Sequence, residues 1–354
     1  MIAEDNRGQV ATLALFEKRV DGDDALMELA RMRFRQAGMG AEMHGGTADH
    51  LEWGMRFRPA PELPVVVHLP RDFNLVDAGN RRAIAELASR FSGRVYGFVL
   101  HDHAEMASRP EDFRRAAEEL NRAIEGIERG PIVFVEYAAG LEPKQFTAFF
   151  RSIQKLPLVS ACVDIGHVGI RQARAAYAAV HPGEDICALK SQPTRLPSLI
   201  NDIQKAVITA LPTVLELIED LGALAKPVHF HLHDGHPLST FSPFGVSDHL
   251  SFLGEIPLGF EYQGRRAVPL MFGPAGLEKI VNRAVKTIGR NRVSFTLEIH
   301  PTNERLSLDQ EGASLFPHWR DRTNAERMNH WLLLLSENHQ ALQDIVARMV
   351  AEPA

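Results

Sequence analysis

Read as a succession of apolar and polar positions, the chain alternates short apolar runs with longer amphipathic stretches. The runs open near Val10, Gly40, Val65, Arg94, Ile132, Leu158, Pro227 and Val293. Most are short and nearly continuous, which fits a strand covered on both faces, and the run near Gly40 is the weakest of them. Helical spacing follows most of them, over about 25–37, 78–91, 111–128, 143–154, up to about 180, then 198–221, 276–288 and 323–350. The acidic patch Asp21-Gly22-Asp23-Asp24 caps the first of these helices and glycines close it. Thr323 and Glu326 stand at capping-box spacing before the last. Pro212 inside 198–221 predicts a kink or a restart. The stretch 45–64 reads as a hairpin or a loop around Trp53 to Phe57.

Eight strands separated by helices imply a parallel sheet covered on both faces, and eight is the count of a closed (β/α)8 TIM barrel. An open doubly wound sheet is the alternative, but no Gly-x-Gly-x-x-Gly follows any strand. The expected organisation is a single α/β domain over 1–354 with a C-terminal helix. It carries a polar, proline-bearing insertion at about 181–197 and a long loop after the seventh strand, at about 234–272. That loop is rich in Gly, Pro and Phe and is too long for an ordinary connection, which marks it as an active-site loop.

Composition narrows the partners. The chain has 354 residues, a net charge of -6 and a pI near 6.2, so no global basic field attracts nucleic acid, although a local basic groove can hide in an acidic total. Cys162 and Cys187 form no spaced pair, which argues against a disulfide scaffold and a cysteine-rich zinc site and fits a reducing compartment. The N-terminus lacks a basic region followed by an apolar core, and runs such as Trp331 to Leu335 fall short of a membrane span. A cytoplasmic protein is expected, with a small-molecule substrate, no membrane partner and room for a homo-oligomer.

The chemistry lies at the strand ends, which carry His68, His101, Glu136, Asp164, His231 and Glu298. In Val228-His229-Phe230-His231-Leu232-His233-Asp234-Gly235 the histidines share one face of a strand. By itself that row fits either metal ligation or an exposed edge. In a barrel all strands end on one face, so these residues converge. Clustered carboxylates in an apolar setting need a cation among them, and mixed oxygen and nitrogen donors suit Mn, Zn, Co or Fe.

The motifs Val135-Glu136-Tyr137-Ala138-Ala139-Gly140, Asp164-Ile165-Gly166-His167, His231-Leu232-His233-Asp234 and Leu297-Glu298-Ile299-His300-Pro301 resemble the xylose isomerase-like TIM barrels. That superfamily includes sugar isomerases, epimerases and endonuclease IV-type enzymes, and the resemblance spans about Val65 to Pro301. It implies that Glu136, Asp164, His231 and Glu298 bind one metal and that His167 binds a second metal or the substrate. It gives His229 and His233 no such role. His68 and His101 look like the extra histidines of the trinuclear endonuclease IV site. Asp248-His249 stands where those enzymes carry Asp-x-His, but the pair is adjacent here rather than spaced by one.

Two functions follow as expectations. The first is a divalent-metal-dependent isomerase or epimerase acting on a sugar or related hydroxy-carbonyl compound through an enediolate, with Glu136 and Glu298 as the proton-handling pair and His167 on a substrate oxygen. The alternative is a multi-zinc phosphodiesterase of the endonuclease IV type acting on abasic DNA, using His68, His101, His167, Asp248 and His249 as further ligands. The first is preferred because the loops hold no dense basic cluster. His103, His233, His236 and His300 are expected at the rim or orienting ligands; His44, His181, His318, His330 and His339 are expected to be surface or structural.

Overall fold

A computed structural model of the chain describes residues 10–15, 23–58, 60–138, 140–192, 194–238, 260–262, 265–267, 271–298 and 321–351. Its strands are β1 (Ala11–Leu15), β2 (Gly40–His44), β3 (Val65–His68), β4 (Gly97–His101), β5 (Ile132–Glu136), β6 (Val159–Asp164), β7 (Val228–Leu232), β8 (Phe260–Tyr262), β9 (Arg265–Ala267) and β10 (Val293–Glu298). Eight of them close into a barrel in the order β1-β10-β7-β6-β5-β4-β3-β2, and every pair in it is parallel. β8 and β9 form a separate antiparallel pair within the connection after β7. The (β/α)8 barrel expected from the rhythm of the sequence is therefore the fold.

The helices are α1 (Asp24–Ala37), α2 (Ala48–Arg56), α3 (Ala78–Arg90), α4 (Glu105–Ser108), α5 (Pro110–Glu125), α6 (Pro143–Ser152), α7 (Ile165–Val180), α8 (Leu196–Val207), α9 (Ala210–Gly222), α10 (Gly273–Ile288) and α11 (Asn324–Ala351). Two expectations are corrected. Residues 45–64 hold neither a hairpin nor a plain loop but the helix α2, whose Thr47 hydroxyl accepts the His50 N–H at 3.3 Å. Gly54 obscures the pattern, yet a Cβ there would lie 3.0 Å from Met43 Sδ, so close packing on β2 explains it. The helical stretch before β7 breaks at Ile208–Thr209 rather than at Pro212. Pro212 falls in the first turn of α9, where the backbone N–H has no intrahelical acceptor to lose.

The pleat sorts side chains into two apolar regions. Val65, Val67, Phe98, Leu100, Val133, Val135, Val163, Phe230 and Leu297 pack outward under the helices, with Phe34, Phe113, Phe150 and Trp331. Leu13, Val66, Val99, Phe134 and Cys162 form a second cluster. Burying each large side chain contributes about 1.5–3 kcal/mol. Next to these residues along the strands stand the polar ones, and two buried carboxylates brace the loops around them. Asp102 accepts the N–H groups of Ala138 at 3.0 Å and Gly140 at 3.3 Å, fixing the turn after β5. Asp234 accepts the N–H groups of Gly235, Met271, Phe272 and Gly273 at 2.7–3.0 Å. It thereby ties the end of β7 to the N-terminus of α10, the end of a helix that favours negative charge.

Candidate metal centre

Strand register sets the layout. Asp164 pairs with His231, His231 with Thr296, and His101 with Glu136 across adjacent strands. His231 sits at the centre, fully buried. Its Nδ1 lies 3.2 Å from Glu136 Oε1 and 3.5 Å from Glu298 Oε2, and its Nε2 lies 3.0 Å from Glu42 Oε1. The second oxygen of Glu136 faces His68 Nε2 at 2.9 Å and His101 Nε2 at 3.3 Å. The His68 ring stacks on His231 at 5.6 Å and meets His101 edge-on at 5.0 Å. His68 Nδ1 lies 3.1 Å from the Leu69 carbonyl, which can only accept, so Nδ1 carries a proton. Neutral His68 therefore turns a bare lone pair from Nε2 toward a carboxylate oxygen, a repulsive pairing that a proton or a cation relieves.

Asp164 ends β6 and caps α7. Its Oδ1 accepts the His167 N–H at 2.7 Å and also lies 2.9 Å from His233 Nε2. With Oδ1 doubly occupied, Oδ2 has no hydrogen-bond partner among the described residues; His167 Nδ1 stands 3.6 Å away. His233 reaches Asp164 because residue 166 is glycine: a Cβ there would sit 1.9 Å from His233 Cε1.

These donors form overlapping triads. His68, His101 and Glu136 make one, Glu136, Asp164 and His167 a second, and Asp164, His233 and Glu298 a third; in each, the ligating atoms lie within 4.8 Å of one another. Glu136 and Asp164 are each shared by two of these, and His231 belongs to two further groups, with Glu42 and His68 and with Cys162 and His229. Glu42, Glu136, Asp164 and Glu298 are 0%, 2%, 0% and 4% exposed. Among the described residues, the ion-pair partners of Glu42, Glu136 and Asp164 are all histidines.

Electrostatics follow from this crowding. Burial pushes Glu136 up, but His231, His101 and His68 outweigh it and hold the carboxyl well below its ordinary range. Glu42 behaves alike, burial opposing and His231 and His229 prevailing. Asp164 is brought down to about 2, burial again opposing His167 and His233. Burial pushes His231 down, yet the surrounding Cys162, Glu42, Glu298 and Glu136 raise it well above the usual imidazole range. His101, more exposed to burial than to its partner, falls to about 4, so its neutral ring presents a lone pair. Buried carboxylates beside histidines, with no lysine or arginine paired to three of them, fit a divalent cation by donor chemistry and by charge.

The structure brings together Glu136, Asp164, His167, His231, Glu298, His68 and His101. Asp248 and His249 lie outside the described residues, as do His300 and His318. Glu42 is a residue that sequence reasoning missed. Its strand, Gly40–His44, is short and only half apolar, but Glu42 alternates with Gly40 and His44, and that alternation would have placed it inward. His44 is not a surface residue; its ring lies 5.2 Å from His68. His103 instead steadies the loop after β3, donating from Nε2 to the Phe73 carbonyl at 3.2 Å.

No protein-family model matches the chain, and no curated protein matches it. Solved structures do. The AsfvAP:AG crystal structure is 14% identical, with 96% of this chain and 99% of that one covered and a TM-score of 0.48. A xylose isomerase-like TIM barrel protein from Mycobacterium smegmatis in complex with magnesium is 12% identical, over 96% and 97%, with a TM-score of 0.48. A fructose-1,6-biphosphate aldolase, so described, from Coccidioides immitis is 11% identical, over 98% and 95%, with a TM-score of 0.45. The structure itself shows a closed parallel barrel whose strand ends bring together residues that could hold a metal ion.

Proposed function

We propose that the chain is a divalent-metal-dependent isomerase or epimerase acting on a sugar or related hydroxy-carbonyl compound. The observation that carries this reading is the convergence of Glu136 and Glu298 on His231 Nδ1, at 3.2 and 3.5 Å, from strands on either side of β7. Two carboxylates facing one point suit a reaction in which one group removes a proton from carbon and another returns it. A bound divalent cation would supply Lewis acidity, drawing charge onto the substrate oxygens and acidifying the neighbouring C–H. Glu136, Asp164, His231 and Glu298 would hold it. His167 keeps part of its ring exposed at the mouth and would contact a substrate oxygen. The Asp234 carboxylate ties the end of β7 to residues 271–273 at the start of α10, which holds both ends of the connection between them together.

The test is deuterium incorporation. With Mn2+ or Co2+ and a panel of ketoses and sugar acids in D2O, label should enter at the carbon beside the carbonyl. Glu298→Gln should abolish this while the barrel still unfolds cooperatively. Label entering at an undiminished rate in that variant would remove Glu298 from the chemistry.

A second reading has its own support. Glu136 offers one oxygen to His68 and His101 and the other to His231, a bridging arrangement suited to more than one cation. It favours a multi-zinc phosphodiesterase of the endonuclease IV type. Cation counting decides: one Mn or Co per chain supports the isomerase, whereas two or three Zn with nicking of abasic DNA supports the phosphodiesterase.

A further inference from the structure

We infer that Glu42 is the positioning residue of this centre: its carboxylate holds the Nε2–H of His231 and so aims the Nδ1 lone pair at the cation. This rests on the metal-binding reading above. Glu42 comes from β2, three strands round the barrel from β7, and is fully buried. Oε1 lies 3.0 Å from His231 Nε2. Oε2 lies 3.1 Å from His229 Nε2 and accepts the Thr296 hydroxyl. His229 Nδ1 in turn lies 2.7 Å from Ser294 Oγ.

One proton arrangement satisfies every contact of Glu42 and leaves the His231 Nδ1 lone pair facing the Glu136 and Glu298 oxygens, where a cation between them would relieve the repulsion. The Ser294 hydroxyl donates to His229 Nδ1, His229 Nε2–H donates to Glu42, Thr296 O–H donates to Glu42, and His231 Nε2–H donates to Glu42. An ionised Glu42 then accepts three hydrogen bonds with no cationic lysine or arginine beside it among the described residues. A histidine ligates through the nitrogen that carries no proton, so fixing the proton on Nε2 leaves Nδ1 as the ligating atom. Nδ1 is the nitrogen that faces Glu136 and Glu298. The direction of ligation is therefore set from beneath the site, and Glu42, whose carboxylate also lies within 4.8 Å of ligating atoms of His68 and His231, is assigned the orienting rather than the ligating part.

Glu42→Gln is nearly isosteric, but its amide N–H can donate to His231 Nε2 and stabilise the tautomer whose proton sits on Nδ1. The expected result is a loss of Mn2+ affinity of about 10–100-fold, read by titration calorimetry or chelator competition. Glu42→Asp keeps the charge for a chain that folds poorly with glutamine, and its shorter reach should also weaken Mn2+. Ser294→Ala is the comparison: it cuts the same buried network at the His229 end and should leave the affinity within about twofold. The inference is overturned if Glu42→Gln and Glu42→Asp bind Mn2+ as the unaltered protein does. Equal losses in Ser294→Ala and Glu42→Gln would overturn it as well, because packing alone would then explain them. If the unaltered protein binds no Mn2+, Co2+ or Zn2+, the metal-binding reading fails and takes this inference with it, an outcome distinct from the other two.

Discussion

At the scale of single residues, Gly166 shows how tightly the centre is fitted. Alanine there would favour the helix by about 1 kcal/mol, since Gly is a poor helix former. Its Cβ would also fall 1.9 Å from the buried His233 ring, and that overlap should win. Gly166→Ala is expected to lower stability by about 1–3 kcal/mol in urea unfolding and to weaken cation binding by dislodging His233 from Asp164. A variant as stable as the parent would mean the ring has room to move. Lys226, at the opposite end of β7, tests a buried charge. Burial lowers its ammonium to about 8, while it donates to the Ile153 and Leu156 carbonyls. A folded pKa below the unfolded value means that the unfolded chain binds the extra proton between about pH 8 and 10.5, so stability rises with pH across that window. The two carbonyl acceptors favour the charged form and limit the gain to the order of 1 kcal/mol. Unfolding at pH 8 and pH 10 should show that rise in the parent and a smaller one in Lys226→Met; equal rises would place the titration elsewhere. Of the residues at the site, Glu136, Asp164 and Glu298 were legible because each ends a short strand rich in apolar residues. Glu42 was not, because its run is five residues with a polar centre.

At the scale of elements, periodicity located the barrel strands and most helices, since burial on both faces leaves continuous apolar runs that no loop would carry. α2 escaped because Gly54 and a short amphipathic stretch mimic a loop. The restart at α9 was displaced because a proline in a first helical turn is neutral rather than disruptive. Asp234 reads in the sequence only as the tail of a histidine row. Its role depends on residues 271–273, which approach it through the fold alone. Asp234→Ala strips an acceptor from four buried or partly buried N–H groups. At about 1–3 kcal/mol for a buried donor left unsatisfied, partly offset by water, the expected loss is at least 2 kcal/mol in urea unfolding. Hydrogen exchange should show early opening at the start of α10; unchanged protection there would show that another contact holds the helix.

At the scale of the molecule, a cation that binds only the folded barrel adds stability by mass action, about 2.7 kcal/mol at a hundredfold excess over its dissociation constant. Thermal unfolding should move upward with added Mn2+, Co2+ or Zn2+ and return on chelation. A midpoint indifferent to all of them would leave the buried carboxylates to their histidines alone. Among the described residues no helix is long and apolar enough to cross a membrane.

The seam of the barrel has a consequence for how the centre comes into being. β1 and β10 lie side by side, Ala11 beside Ser294 and Leu15 beside Glu298, although almost the whole chain separates them. During synthesis the ribosome delivers Glu42 early and Glu298 late, so the ligand set stays incomplete until the final strand docks. Mutual repulsion among the carboxylates is thus postponed to the closing step, and under the proposed metal binding a cation captured there would act as a latch. Its kinetic signature should be a slower reopening of the seam, with the earlier, cation-indifferent steps of folding running at an unchanged pace.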